Sequence, residues 1–237
     1  MSPRKRHLPA ALLALILIVG PWCRVLAQEQ DHDGAGIQIR VLCSQPVTGA
    51  AELKLVQDNA ILHEIGLAPA MVSDAIAVGR GELLLARQGA DAGELDPLLR
   101  VAIPEAGRRF VLALFPAPDS ELETPYQHML IRTDGLRFGA SDLYLFNLTG
   151  TAVGGTLGTR SFTVEPGGSE VVTPVPASRG ERMYQARLYH MTEGGQRLFS
   201  DTRWPLAASS RVYLFFIADP RRRSISYVSF REYAPFD

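Results

Sequence analysis

The sequence predicts an all-β protein: two tandem immunoglobulin-like antiparallel β-sandwich domains behind a cleaved signal peptide. Three observations carry this. Apolar residues recur with a period of two in short segments from Ile37 onward. Glycine and proline punctuate those segments roughly every ten residues, the spacing of sandwiches and barrels. A fourteen-residue stretch also recurs 101 positions later without a gap. Residues 104–117 read PEAGRRFVLALFPA and residues 205–218 read PLAASSRVYLFFIA, with five identities. A repeat at this period marks one structural unit built twice.

The first 27 residues read as an address. Arg4, Lys5 and Arg6 form a positive start, and residues 8–20 an apolar core too short for a comfortable membrane span. Val25 and Ala27 place small residues at the −3 and −1 positions of a cleavage site before Gln28. The chain is therefore expected to be exported, periplasmic or secreted, with no integral membrane span after cleavage. Residues 28–36 (QEQDHDGAG) form a polar, flexible lead-in.

Residues 37–135 make the first expected sandwich. Alternation places strands at 37–44, 52–57, 60–62, 82–88, 98–103, 109–115 and 126–133, with turn residues such as Asp58-Asn59, Gly66, Gly79 and Pro116 between them. Two places have helical character, 70–77 and a short turn within 91–99. Asp134-Gly135 and Gly139 mark the boundary. Residues 136–237 make the second sandwich, with strands at 142–148, 160–164, 170–174, 184–190, 197–204, 211–218 and 224–232. The short linker implies a fixed packing angle. Three more blocks extend the repeat: 52–57 on 142–147, 78–81 on 164–167, and 126–133 on 225–232. Their unequal offsets put insertions in loops.

Composition excludes several function classes. Residues 1–27 hold four of the 24 basic residues and none of the 25 acidic ones, so the remainder carries a net charge of −5. Nucleic-acid binding calls for a basic stripe, so none is expected. Beyond residue 27, Lys54 is the one lysine available for Schiff-base chemistry. Cys23 leaves with the leader, so Cys43 has no partner for an internal disulfide. It shares a strand face with Ile37, Ile39 and Val41, which predicts burial.

No catalytic, cofactor or metal site is expected. There is no G-x-S-x-G nucleophile turn. His32, His63, His128 and His190 lack ligand spacing, and the glycine-rich 150–158 has no lysine and no following helix. Asp91, Glu94 and Asp96 lack a calcium-loop template, and Asp31-His32-Asp33 sits in a tail without rigidity. Asn147-Leu148-Thr149 matches a glycosylation acceptor.

Two features are candidate binding residues. Arg221, Arg222 and Arg223 form a basic tip after Asp219-Pro220, suited to gripping an anion. Tyr213 and Phe215 share one face of their strand, and Leu214 and Phe216 the other. Such a strand is either covered on both sides or meets the other domain, whereas an exposed aromatic face is a binding surface.

The segments LTGTAVGGTLG (148–158) and FTVEPGG (162–168), each next to a strand, carry a resemblance. The pattern resembles secreted bacterial tandem Ig-like β-sandwich proteins of uncharacterised function, over about half of each unit, with a weaker echo at 37–87. Two such units after a signal peptide are also similar to periplasmic pilus chaperones. Their subunit-anchoring basic pair would fall on Arg40 and Lys54 by residue type only, since no motif ties the two together. The expected function is an exported, non-enzymatic structural or adaptor module of the bacterial cell envelope, with a protein partner. The alternatives are a periplasmic chaperone or assembly factor acting by strand addition, and a carbohydrate-binding module resting on the aromatics and arginines.

Overall fold

Period-two alternation becomes strand after strand in the computed structural model, which describes residues 36–46, 52–67, 70–89, 91, 94–117, 125–219 and 224–233. The signal peptide at 1–27 and nearly all of the lead-in at 28–36 lie outside the described residues. The first half runs β1 (Ile37–Cys43), β2 (Glu52–Gln57), β3 (Ala60–Gly66), β4 (Ile76–Val78), β5 (Gly81–Gln88), β6 (Leu95–Ile103), β7 (Arg109–Pro116) and β8 (Tyr126–Arg132). The second runs β9 (Leu143–Asn147), β10 (Val153–Leu157), β11 (Arg160–Val164), β12 (Ser169–Val172), β13 (Met183–Thr192), β14 (Gly195–Pro205), β15 (Ser210–Asp219) and β16 (Ser224–Tyr233). Among the described residues no helix is long and apolar enough to cross a membrane.

The two halves share one topology. The first stacks sheet β3-β2-β5-β6 on sheet β4-β1-β7-β8; the second stacks β11-β10-β13-β14 on β12-β9-β15-β16. Adding eight to each strand number converts one half into the other. The all-β, two-sandwich class therefore holds, with a connectivity of its own. A constant-type immunoglobulin sheet pairs its first strand with its second. Here β1 lies between β4 and a parallel β7, and β9 between β12 and a parallel β15.

The alternation sorts side chains into three cores. Ile37, Ile39, Val41 and Cys43 of β1 join Leu53, Leu55, Leu83, Leu85, Phe110, Leu112 and Leu114 inside the first sandwich. Leu143, Leu145, Val153, Phe162, Leu188, Leu214 and Phe216 fill the second. The third core lies between the sandwiches. Leu42, Val111, Ala113 and Ile131 from the inner sheet of the first half meet Phe138, Tyr144, Tyr213, Phe215 and Phe230. The described residues thus form a stack of four sheets within the compact unit of residues 35–237.

The structure corrects the repeat in register. The core face of β7 is Phe110, Leu112 and Leu114; that of β15 is Val212, Leu214 and Phe216. Equivalent residues are therefore 102 apart. The gapless offset of 101 pairs the right strands but puts opposite faces together, because a one-residue slip exchanges the faces of a strand. Both faces of these strands are apolar, so the slip leaves no trace in hydropathy. The β-bulges show where the extra residue sits. Leu98 in β6 and Phe199 in β14 are the unpaired bulge residues, 101 apart. The added residue falls in the loop before β15. The blocks at 52–57 on 142–147 and 78–81 on 164–167 are each one strand out of step: they match β2 to β9, and the end of β4 to the end of β11. The block at 126–133 on 225–232 matches β8 to β16, as the topology requires.

Other expectations change locally. The segments with helical character hold strands β4 and β6 instead. Strand β10 was not anticipated because Gly154-Gly155 reads as a loop. A Cβ at Gly155 would overlap the Arg187 carbonyl oxygen of neighbouring β13, so close backbone approach dictates this glycine. Asn147 is fully buried. Its amide donates to Thr151 O at 2.8 Å and Val164 O at 2.9 Å, and its oxygen accepts from the Thr149 N–H. It pins the β9–β10 loop and is not presented as a glycan acceptor.

Gly158, at the β10–β11 turn, tests this packing. Its φ is +66°, and an added Cβ would overlap the Val175 carbonyl oxygen. At Gly167 the φ is +72°, but an added Cβ meets nothing. Gly167→Ala should cost about 1 kcal/mol, the left-handed backbone penalty alone. Gly158→Ala should cost roughly 2 kcal/mol more, because the strand must also shift. Urea unfolding of the two variants checks the difference.

Candidate functional site

The predicted binding residues divide into two groups. Arg221, Arg222 and Arg223 lie outside the described residues. Tyr213 and Phe215 are fully buried in the core between the sandwiches. Phe215 meets Phe115 edge-on at 5.3 Å across the junction, and Tyr213 meets Phe138 at 5.0 Å. They are corrected from ligand surface to structural contact. The second of the two readings of a doubly apolar strand, meeting the other domain, is the one adopted.

A charged network lies beside these rings. Arg211 donates from Nε and Nη2 to both oxygens of Glu232, at 2.7 and 2.9 Å, and from Nη1 to Phe138 O at 2.8 Å. The Tyr213 hydroxyl donates to Glu232 at 2.9 Å. Arg40 reaches Glu232 from the first half at 3.3 Å. The Arg211 guanidinium stands 4.7 Å over the Phe138 ring. Burial works against the Arg211 charge, and the Glu232 carboxylate more than restores it. Burial first, and then the Glu232 charge, holds the Tyr213 phenol above its ordinary range. Arg211 and Glu232 face each other directly across the β15–β16 ladder. Asp219 and Ser224 pair in the same ladder, and equal counts back along the two strands from them are the sequence signal that matches Arg211 to Glu232.

The remaining candidates disperse. Lys54 bonds Glu64 and Gln88 on the far sheet of the first sandwich, whereas Arg40 faces the second sandwich, so they form no basic pair. Cys43 is buried, and burial pushes its thiol up. Asp96 pairs with Arg87 at 2.6 Å. His63, His128 and His190 sit on β3, β8 and β13. Among the described residues no three His, Cys, Asp or Glu side chains converge as metal ligands do.

Two features of the second sandwich remain open to a partner. The first is β14, eleven residues long and the last strand of its sheet, with no strand paired to its outer edge among the described residues. Leu198 is 47% exposed on it. The equivalent edge strand β6 carries Pro97 at that position, which has no N–H to offer. The second is a cavity of about 200 Å³ at the side of the sandwich where β14 and β16 end their sheets. Tyr184, Trp204, Tyr227, Ser229 and Arg231 line it. Trp204 meets Tyr227 at 5.4 Å and Tyr184 at 6.2 Å, both edge-on. The other edge at this side, β16, is partly covered: Arg231 N donates to Ala70 O at 3.1 Å.

No family model matches the chain, and no curated protein matches it. Nine chains of solved structures do. One is the crystal structure of a DUF3823 family protein from Bacteroides ovatus. The similarity covers 72% of this chain and 99% of that one, at 10% identity and a TM-score of 0.22.

Two outcomes follow from the buried network. Glu232→Ala leaves Arg211 buried without its carboxylate and should cost about 3–5 kcal/mol in denaturant unfolding. Stability should also fall in alkali. Tyr184 and Tyr213 both hold phenol pKa values raised by burial, so their stabilising effect is complete below the unfolded tyrosine value of about 10 and is lost above it. Unfolding midpoints measured from pH 8 to 11 should show this decline, and Tyr184→Phe should flatten it.

Proposed function

We propose that the protein is an exported, non-enzymatic adaptor of the bacterial cell envelope, which holds a protein partner on the edge of its second sandwich. The observation that carries this reading is the β14 edge, unpaired among the described residues, on a four-sheet body. Fixed geometry is what an adaptor requires, and the third core supplies it. Export rests on the sequence of residues 1–27. The net charge of −5 beyond them supports a protein partner over a nucleic acid.

The β14 edge also favours strand addition as the mode of contact, in which backbone hydrogen bonds give affinity and alternate side chains give specificity. The bulge at Phe199 interrupts the ladder, so the usable stretch is Ser200 to Trp204. Asp201 and Arg203 lie within that stretch and guard it against indiscriminate pairing. An assembly factor would use the same edge transiently.

A photo-crosslinking residue at Thr202 tests the reading, with one at Arg100 of β6 as control. Thr202 should capture a discrete envelope protein in cells and Arg100 should not. Adducts that are absent, or identical from both positions, overturn the proposal.

A further inference from the structure

We propose that the cavity bounded by Tyr184, Trp204, Tyr227 and Arg231 binds a small ring-shaped carboxylate: the acid on Arg231, the ring against the aromatic side chains, and a ligand oxygen accepting from the Tyr184 hydroxyl. The site is independent of β14 pairing and stands whether or not that edge takes a strand.

Four observations carry it. The volume of about 200 Å³ lies below the range of pockets for drug-sized ligands and suits one ring. Arg231 faces this cavity, and no carboxylate pairs with its side chain among the described residues. A guanidinium is the side chain best matched to a carboxylate.

Tyr184 is the third observation. Its residue is only 4% exposed, yet its hydroxyl has no hydrogen-bond partner from the described protein. Among the described residues no fully enclosed side-chain polar atom lacks a partner, so this hydroxyl keeps access to the cavity it lines. A buried phenol normally finds an acceptor, and here a ligand oxygen would supply it. Burial keeps the phenol protonated, so it is available as a donor.

The fourth observation is the comparison of the two halves. Tyr184 and Trp204 face each other across β13 and β14. The matching pair across β5 and β6 is Gly81 and Ile103. Tyr227 corresponds to His128, by the offset that relates β16 to β8. The first sandwich thus has no ring at two of the three positions and an imidazole in place of the phenol at the third. Core stability alone does not demand this set of rings, because the same topology folds without it.

The test is calorimetric titration of the full chain with glucuronate, with cyclohexanecarboxylate, and with glucose as the neutral ring. Trp204 fluorescence in a Trp22→Phe background serves as a second readout. At least one acid should bind and change Trp204 emission, and glucose should bind at least tenfold more weakly. Preference for glucuronate assigns the site to acidic sugars, and preference for cyclohexanecarboxylate to non-sugar acids. Arg231→Gln should weaken acid binding by roughly 10–100-fold, the worth of a charged hydrogen bond. Tyr184→Phe should weaken it by roughly 3–10-fold. The glucose arm needs no variant, so it decides even if a substitution unfolds the chain. Absence of binding by both acids at 10 mM (about 10 mM being weaker than any useful site), or equal binding of glucose, overturns the proposal.

Discussion

The burial of two sheet faces against each other is the constraint on which this molecule depends. Each inner sheet is apolar on both sides. Its strands β7 and β15 send Phe110, Leu112, Leu114 and Val212, Leu214, Phe216 into their own sandwiches, and Val111, Ala113, Tyr213 and Phe215 into the junction. Apart, either half would present a large hydrophobic face to water, the kind of surface that aggregates. The junction therefore stabilises both halves at once, and neither is a free module. Register equivalence adds a detail. Val111 and Ala113 correspond to Tyr213 and Phe215, so the duplicated positions differ in size in a complementary way. Small side chains on one sheet leave room for large rings on the other, as close packing without voids requires.

The Arg40–Glu232–Arg211 network sets the register of that stack. Apolar faces slide at little cost, but a buried carboxylate does not. Glu232 is 3% exposed and takes bonds from both Arg211 and Tyr213, with Arg40 arriving from the other sandwich. A shifted stack would separate Arg40 from Glu232 and leave charge poorly compensated in a dry setting. The network sits at the edge of the aromatic core, where Phe138 covers Arg211. The short connection between β8 and β9 supplies Phe138, so the linker itself closes the junction.

Much of this was legible in the sequence, and the failures have physical causes. Strand positions followed from alternation, and the burial of Cys43 from its neighbours Ile39 and Val41. The duplication was visible because β7 and β15 are the most apolar strands. Its register was not, because a strand apolar on both faces carries no parity. Strand β10 was hidden by Gly154-Gly155; the role of Gly155 depends on the Arg187 carbonyl, 32 residues on in the chain. Tyr213 and Phe215 looked like a surface only while the partner sheet was unknown. The cavity was illegible because Tyr184, Trp204 and Arg231 come from three strands and nothing local marks their convergence.

The asymmetry between the halves is where function separates from fold. Topology, the bulge in β6 and β14, and core pattern are common to both, so they report the demands of an eight-stranded sandwich. Beyond the junction, a group of differences gathers on one side of the second copy. Leu198 stands where the first copy has Pro97, and Tyr184, Trp204 and Tyr227 stand where it has Gly81, Ile103 and His128. An internal copy acts as a control that shares the same stability requirement. Differences that stability does not require gather between the edges β14 and β16, the side on which both proposals rest. The first sandwich, clamped through Arg40 and the Ala70 contact to β16, serves as the support that holds that side in place.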